Sequence, residues 1–410
     1  MSTVRPFMAV RPAKGLESEI AALPYDVFNR TEAKEYVSDK PLSFLRIDRA
    51  ETQLDDSVST YDESVYKKAK ELYEEMLDNK QFVKDEKPSL YLYEQIMDGR
   101  SQTGLVCTAS VYEYENNIIL KHENTRAEKE VDRINHVDTL SAQTGPIFLA
   151  YRDNGSLSDV FKKIKAAGPY AEFKDHGVTQ RLFEIKDDKD IDFIVNAFKN
   201  IKNLYIADGH HRCASACKVS KLRRGNADAS DSTKEYNYFL SVVFPDSELM
   251  IMDYNRVVKD LNGYDKETFL SKIGERFNIS ERTNDLSKPS KKGDIYMYLD
   301  NKCFCLSLKS EYLKKDPIGI LDVSVLQENL LGPILDITDP KTDSRIDFVG
   351  GIRGVEGLKD RLSKDARVAF AMYPTSLSEL FDVADAGLLM PPKSTWFEPK
   401  LLSGLFIHEI

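Results

Sequence analysis

Five consecutive residues, Asp208-Gly209-His210-His211-Arg212, place a carboxylate, a position without a side chain, two imidazoles and a guanidinium in one turn of chain. The β-like run Leu204-Tyr205-Ile206-Ala207 leads into them, and the helix-compatible Cys213-Ala214-Ser215-Ala216-Cys217-Lys218 follows, with a helix expected from about Ala214. A helix opening at such a turn aims unpaired backbone N–H groups and the positive end of its dipole at whatever lies in front. Gly209 removes the Cβ that would keep a phosphate away from the backbone. Arg212 can hold phosphate oxygens in a bidentate fork, and His210 and His211 can donate further hydrogen bonds. Asp208 would repel a bare phosphate, so its useful work is to hold Mg2+ or to orient a hydroxyl. The plainer alternative is a helix cap with two histidines bound to neighbouring backbone. Four polar side chains gathered at a strand-to-helix junction, the usual ligand-binding place in α/β proteins, favour a phosphate-binding turn.

A second junction of this kind is Lys121-His122-Glu123-Asn124-Thr125-Arg126. Glu123 can accept a hydroxyl proton or share Mg2+ with Asp208, and Thr125 and Arg126 can bind phosphate or a substrate carboxylate. The plain alternative is a helix N-terminus with a favourable Glu in its first turn. In Pro24-Tyr25-Asp26-Val27 an acid follows a proline in a loop, where Asp26 serves either a turn or a substrate. Ser43 and Arg46 follow nearby, and a surface ion pair explains Arg46 about as well as ligand binding does. Pro391-Pro392-Lys393-Ser394-Thr395 invites comparison with a P-loop and fails it. Gly387 stands at the wrong spacing, no Gly immediately precedes Lys393, and the prolines oppose the helical start. Lys393 can still reach a phosphate or carboxylate from a rigid loop. Zinc held by His210, Cys213 and Cys217 lacks a fourth ligand, and two small core residues on a helix explain those cysteines more simply. His136, His176 and His408 stand alone and read as ordinary residues.

These side chains need elements to place them. A helix is expected from Thr60, where Thr60-Tyr61-Asp62-Glu63 has capping-box form and Val65, Ala69, Leu72, Tyr73, Met76 and Leu77 mark one face. Strands are expected at Ser43–Ile47, Ser89–Ile96, Gly104–Tyr114, Ile118–Lys121, Ile147–Tyr151, Leu182–Ile185 and Tyr238–Phe244, with Asn116-Asn117 as a hairpin turn. Helices are expected over Glu123–Leu140, Leu157–Ala167 and Ile191–Asn200. The polar runs 223–234 and 284–293 read as surface loops or separators. Strands alternating with helices indicate α/β or α+β with a mixed sheet.

The chain of 410 residues is long enough for two domains, and its formal charge of −10 opposes binding to nucleic acid, whose phosphates demand a basic surface. Five scattered cysteines do not form a disulfide framework, and no apolar signal or membrane-spanning run is present. A cytoplasmic protein with no membrane partner is the expectation. Oligomeric state is left open.

The turn at 208–212 resembles that of the ParB/sulfiredoxin-like superfamily, and Asp-Gly-His-His-Arg is close to the form in free serine kinases. The whole chain also resembles a widespread uncharacterised bacterial family, several members of which look like free serine kinases. That likeness is carried by Arg5-Pro6-Phe7, Pro24-Tyr25-Asp26-Val27, Ser43-Phe44-Leu45, His122-Glu123-Asn124-Thr125, Asp208 to Arg212 and Met390-Pro391-Pro392-Lys393-Ser394-Thr395. It implies a ParB/sulfiredoxin-like nucleotide-binding core within residues 1–254 and a C-terminal α/β region, 255–410, contributing to the cleft. It also implies transfer of the terminal phosphoryl group of ATP or ADP to the hydroxyl of free L-serine, with Mg2+. On this resemblance Asp208, Glu123 and Asp26 are the expected catalytic acids, the first two holding the metal. Gly209, His210, His211, Arg212, Thr125 and Arg126 would bind the nucleotide phosphates. Tyr25, Ser43, Arg46, His122, Lys393, Ser394 and Thr395 would bind the acceptor. The alternative is a ParB-like nucleotide switch without a small-molecule acceptor; a DNA clamp is opposed by the charge and by the lack of a helix-turn-helix.

Overall fold

Apolar runs with β-branched and aromatic residues form central strands buried on both faces, such as Ile147–Tyr151, within one nine-stranded mixed sheet among the described residues of the computed structural model. Those residues are 1–125, 127–225, 233–282 and 287–410. In chain order the strands are β1 (Val4–Arg5), β2 (Leu90–Met97), β3 (Arg100–Ser110), β4 (Ile119–Leu120), β5 (Ile147–Tyr151), β6 (Ala171–Asp175), β7 (Val178–Ile185), β8 (Leu204–Asp208) and β9 (Tyr238–Pro245). Their order across the sheet is β4-β8-β5-β9-β3-β2-β7-β6, with β1 added along β3. The pairs β4–β8 and β5–β9 are parallel and the others antiparallel. Asp98 and Gly99, at φ 52° and 79°, turn the β2–β3 hairpin, because a two-residue turn matching the strand twist needs left-handed residues.

Three helices bear on the site: α1 (Glu63–Asp78), α2 (Ala127–Leu140) and α3 (His210–Arg224). The apolar side of α3, through Cys213, Ala216 and Cys217, joins a core with Leu149, Ile206, Phe239 and Val243. A smaller antiparallel sheet runs Phe82–Lys84, Ala9–Pro12, Ile407–Glu409, Ala142–Gln143. It brings the last residues of the chain beside the first, and Val10, Phe44, Leu72 and Ile407 share a second core.

The chain packs as two units, Met1–Leu249 with Pro399–Ile410, and Met250–Glu398. The first unit therefore includes the chain's last twelve residues. The second holds a six-stranded antiparallel sheet of β10 (Tyr254–Val258), β11 (Phe277–Arg282), β12 (Asp294–Leu299), β13 (Lys302–Leu308), β14 (Ile346–Gly350) and β15 (Val368–Ala371), ordered β11-β13-β12-β15-β10-β14. The fold is mixed α/β with a large mixed sheet. Among the described residues no helix is long and apolar enough to cross a membrane.

Several local expectations need correcting. Residues Leu45–Asp48 are helical, because Ser43 Oγ accepts from the Leu45 N–H and starts a helical turn where a strand was expected. The α1 cap is Asp62, which accepts from the Ser64 N–H, so the helix opens at Glu63 and Thr60 does not cap it. Asn116-Asn117 ends a short helix, Val111–Glu115, and β4 then pairs with β8, so no hairpin forms there. The helix at the central motif begins at His210, not near Ala214. Residues 226–232 and 283–286 of the two polar runs lie outside the described residues.

Candidate functional site

At the end of β8 the register against β5 shifts between Ile206 and Asp208, an irregularity that re-aims a side chain at a strand terminus. Gly209 follows at φ 91° and ψ 30°. This left-handed conformation costs an L-residue about 1–2 kcal/mol. A Cβ there would also stand 3.2 Å from Arg212 Nε, so the glycine lets the guanidinium fold back beneath the turn. Helix α3 has no side-chain cap, and Cys213 N–H donates to the Gly209 carbonyl at 2.9 Å. The N–H groups of its opening turn are therefore those left without an intrahelical acceptor. Arg212 Nη1 donates to the Pro146 carbonyl at 2.6 Å, tying the turn to the entry of β5.

Asp208 is engaged on both oxygens. Oδ1 accepts from the Gly209 N–H at 2.8 Å and Oδ2 from Lys400 Nζ at 3.1 Å. Burial works to raise this carboxyl, but Lys400, Arg212 and the two hydrogen bonds outweigh it and hold it well below the usual carboxylate range. Asp208 is thus an anion with a resident cation beside it.

Because β4 lies parallel to β8, the segment after β4 emerges beside the central turn. The rings of His122 and His210 meet edge to face, 4.5 Å between centroids at 88°, and the His122 backbone N–H donates to His210 Nε2 at 3.5 Å. Burial pushes His122 down to about 4, against a hydrogen bond to the Ile206 backbone and the Asp208 charge. Burial and the neighbouring His122 push His210 well below its ordinary range. Both rings are neutral near pH 7, so positive charge at this turn comes from Arg212 and Lys400 and not from His210. One ligand atom from each of His122, Glu123 and His210 lies within 4.8 Å of the others, the one such grouping of His, Cys, Asp and Glu among the described residues. Thr125 Oγ1 donates to Glu130 of α2, and Glu130 pairs with Lys218 of α3. Ser215 Oγ donates to the Glu130 carbonyl at 3.2 Å, completing a clamp between the two helices.

A cavity adjoins Arg212 and is lined by Tyr25, Asp48, Arg133, His136, Thr144 and Ser403 together with the apolar Val137, Ile147 and Ala216. Arg133 is buried, paired with Asp132 at 2.9 Å, and lies 4.0 Å over the Tyr25 ring. Asp48 accepts from Thr144 Oγ1 at 2.9 Å and faces His136 Nε2 at 3.5 Å. Burial opposes its charge, yet the His136 hydrogen bond and charge, Arg133 and Thr144 keep its carboxyl below the usual range. Buried charges survive only in such paired and hydrogen-bonded company.

The central turn, His122, Glu123 and Thr125 share one neighbourhood, and Tyr25 reaches the cavity beside Arg212. Asp26 is exposed on the turn Tyr25–Val27 and is not among the cavity-lining residues. Ser43 serves its own helical turn, and Arg46 donates to Gln53 Oε1 at 3.1 and 3.0 Å. Lys393, Ser394 and Thr395 belong to the second unit. There the Lys393 carbonyl accepts from Arg256 at 3.0 Å, Ser394 Oγ donates to the Pro391 carbonyl at 2.6 Å, and Lys393 Nζ lies 5.4 Å from the Tyr254 ring. Arg126 lies outside the described residues. Sequence reasoning missed Lys400, Asp48, Arg133 and the placement of His136. The last three are spread over two helices, where only packing brings them together. Lys400 follows Pro399 in a stretch with no motif of its own.

A family model described as "Protein of unknown function (DUF1015)" matches residues 4–324, more than three quarters of the chain. The chain belongs to this family. The match covers both strand-to-helix junctions of the site and ends before Lys393 and Lys400. No curated protein matches the chain. Among solved structures, a free serine kinase in complex with AMP is 13% identical, over 74% of this chain and 89% of its own, with a TM-score of 0.35. A conserved hypothetical protein from Pyrococcus furiosus is 13% identical over 73% and 94%, with a TM-score of 0.34. SbnI with a C-terminal truncation from Staphylococcus aureus is 12% identical over 72% and 85%, with a TM-score of 0.36. Overlaps this loose carry no functional argument.

Proposed function

We propose that this member of the DUF1015 family is a nucleotide-dependent kinase that transfers the terminal phosphoryl group of ATP or ADP to the hydroxyl of free L-serine. The observation that carries the reading is the left-handed Gly209 turn at the start of α3, with Arg212 between that turn and a cavity that holds Arg133 and Asp48 in its wall. Backbone N–H groups and a guanidinium are what a nucleotide's phosphates require. The cavity supplies a cation, Arg133, and an anion, Asp48, which suit the carboxylate and ammonium of a small zwitterion. Kinase catalysis is largely positioning and charge stabilisation, so a site of this kind needs few further parts.

In this reading the turn Gly209 to Arg212 binds phosphate in the manner of a ParB/sulfiredoxin-like core, and Thr125 and Arg126 are assigned to the same phosphates. Asp208 anchors Lys400 next to the transferred group, and Glu123 takes the acceptor's proton. Mg2+ fits as an ion carried on the nucleotide, because it normally keeps several waters and takes one or two protein carboxylates. Asp208, at the turn itself, would hold the ion together with the nucleotide's oxygens, which leaves Glu123 to take the acceptor's proton. The ion would neutralise charge on the phosphates. Tyr25 and His122 line the acceptor's approach, and Asp26, Ser43, Arg46, Lys393, Ser394 and Thr395 are assigned no separate step.

The test is incubation with L-serine and either Mg-ATP or Mg-ADP, with O-phosphoserine detected by mass spectrometry. Product with one donor is expected. Nucleotide binding without product from either donor would overturn the kinase reading and leave the nucleotide-switch reading in its place.

A further inference from the structure

We infer that His122, Glu123 and His210 form a binding site for an imidazole-preferring divalent cation, of which Zn2+ is the type. The inference stands on the geometry of the cluster, and an ion held there would engage the same Glu123 that the proposed reaction uses. One ligand atom from each residue lies within 4.8 Å of the others. Bonds of about 2.0–2.2 Å to zinc need ligand atoms somewhat closer than that, a contraction within reach of small side-chain rotations. Two imidazoles and one carboxylate are the donor set of open, three-ligand zinc sites, and imidazole selects against Mg2+, which demands oxygen.

The surroundings suit the assignment. Both rings are buried and meet edge to face with 4.5 Å between centroids, and the long 3.5 Å contact from the His122 N–H to His210 Nε2 is one that an ion would displace. A hydrogen bond joins the His122 ring to the Ile206 backbone, the kind of outer contact that orients a ligating imidazole. Asp208 adds negative charge close to both rings. Cys213, in the next turn of α3, packs into the apolar core and is not part of the cluster. His210 is also the first residue of α3, which puts the ion at the phosphate-binding turn itself, with the remaining coordination positions open to water or an anionic oxygen.

The full-length protein, stripped with a chelator, should be titrated with Zn2+ by equilibrium dialysis and with Co2+ by visible absorption. One ion per chain is expected, undisplaced by excess Mg2+. Even outer-shell changes weaken metal binding by about 10–100-fold, so His122→Ala and Glu123→Gln are each expected to weaken it by more than about 100-fold. The exposed His176→Ala control should bind like the wild type. Glu123 is only half-buried, so Glu123→Gln keeps the test sound if His122→Ala fails to fold. Wild-type stoichiometry and affinity in a folded Glu123→Gln, or loss of the ion in Cys213→Ser but not in His122→Ala, would overturn the assignment. Metal binding is read in the absence of nucleotide and serine, so its failure is distinguishable from a failure to form O-phosphoserine.

Discussion

Lys400 reaches Asp208 from 192 residues further along the chain, and the pair shows how one side chain sets the charge of another. With the Asp208 carboxyl held below its ordinary value of 3.8, the folded state binds this proton less readily than the unfolded state. The pair therefore contributes stability fully above the ordinary value and loses it as pH falls through the depressed one. Lys400→Met removes the largest opposing cation while burial persists, so Asp208 should titrate at higher pH. Urea unfolding should show the variant less stable than the wild type at pH 6, with the gap closing as pH falls below the ordinary value of 3.8. Coincident curves would mean the pair is energetically silent. Arg212 is the other residue whose loss should be read directly. A charge-assisted contact contributes about 1.5–3 kcal/mol, so Arg212→Ala should weaken nucleotide binding by roughly ten- to a hundredfold in calorimetry. Wild-type affinity would remove Arg212 from the phosphate site.

At the scale of elements, the site depends on where helices begin. Helix α3 starts two residues after Asp208 because Gly209 supplies the left-handed turn, and this brings His210 under the His122 ring. Helix α1 starts at Glu63 because Asp62, not Thr60, accepts the Ser64 N–H at 2.9 Å. Removing an N-cap side chain typically costs about 1 kcal/mol. Asp62→Ala should therefore lower stability by about that much in denaturant titration, whereas Thr60→Ala should leave it unchanged. The reverse order would restore Thr60 as the cap. Between α2 and α3 the tie is Glu130, which takes Thr125, Ser215 and Lys218 together.

At the scale of the molecule, the first unit is completed by Pro399–Ile410. This segment supplies Lys400 and Ser403 to the site, a strand to the small sheet, and buried Leu401, Leu402, Leu405, Phe406 and Ile407. Burying each such side chain contributes about 1.5–3 kcal/mol, so the five together rival the roughly 5–15 kcal/mol net stability of a whole domain. Deleting residues 399–410 should abolish the first unit's cooperative transition in scanning calorimetry. A retained transition would show the segment to be dispensable for folding.

The residues that could do chemistry at 208–212 and 122–125 were legible in the chain itself, and so were the strand Ile147–Tyr151, the buried face of α1 and a mixed α/β class. These are local properties, fixed by residue type, spacing and hydrophobic period over a few turns. Helix starts were misplaced at Thr60 and Ala214 because several residues nearby could serve as cap, and the choice follows from which backbone N–H each side chain can reach. The pairing of β4 with β8, which brings His122 against His210, joins segments more than eighty residues apart, and no periodicity records such a pairing. The same holds for Lys400 on Asp208 and for Asp48, Arg133 and His136 around one cavity. Burial then decided their chemistry, since His122 and His210, cationic candidates as residue types, are kept neutral by the desolvation that only tertiary packing imposes.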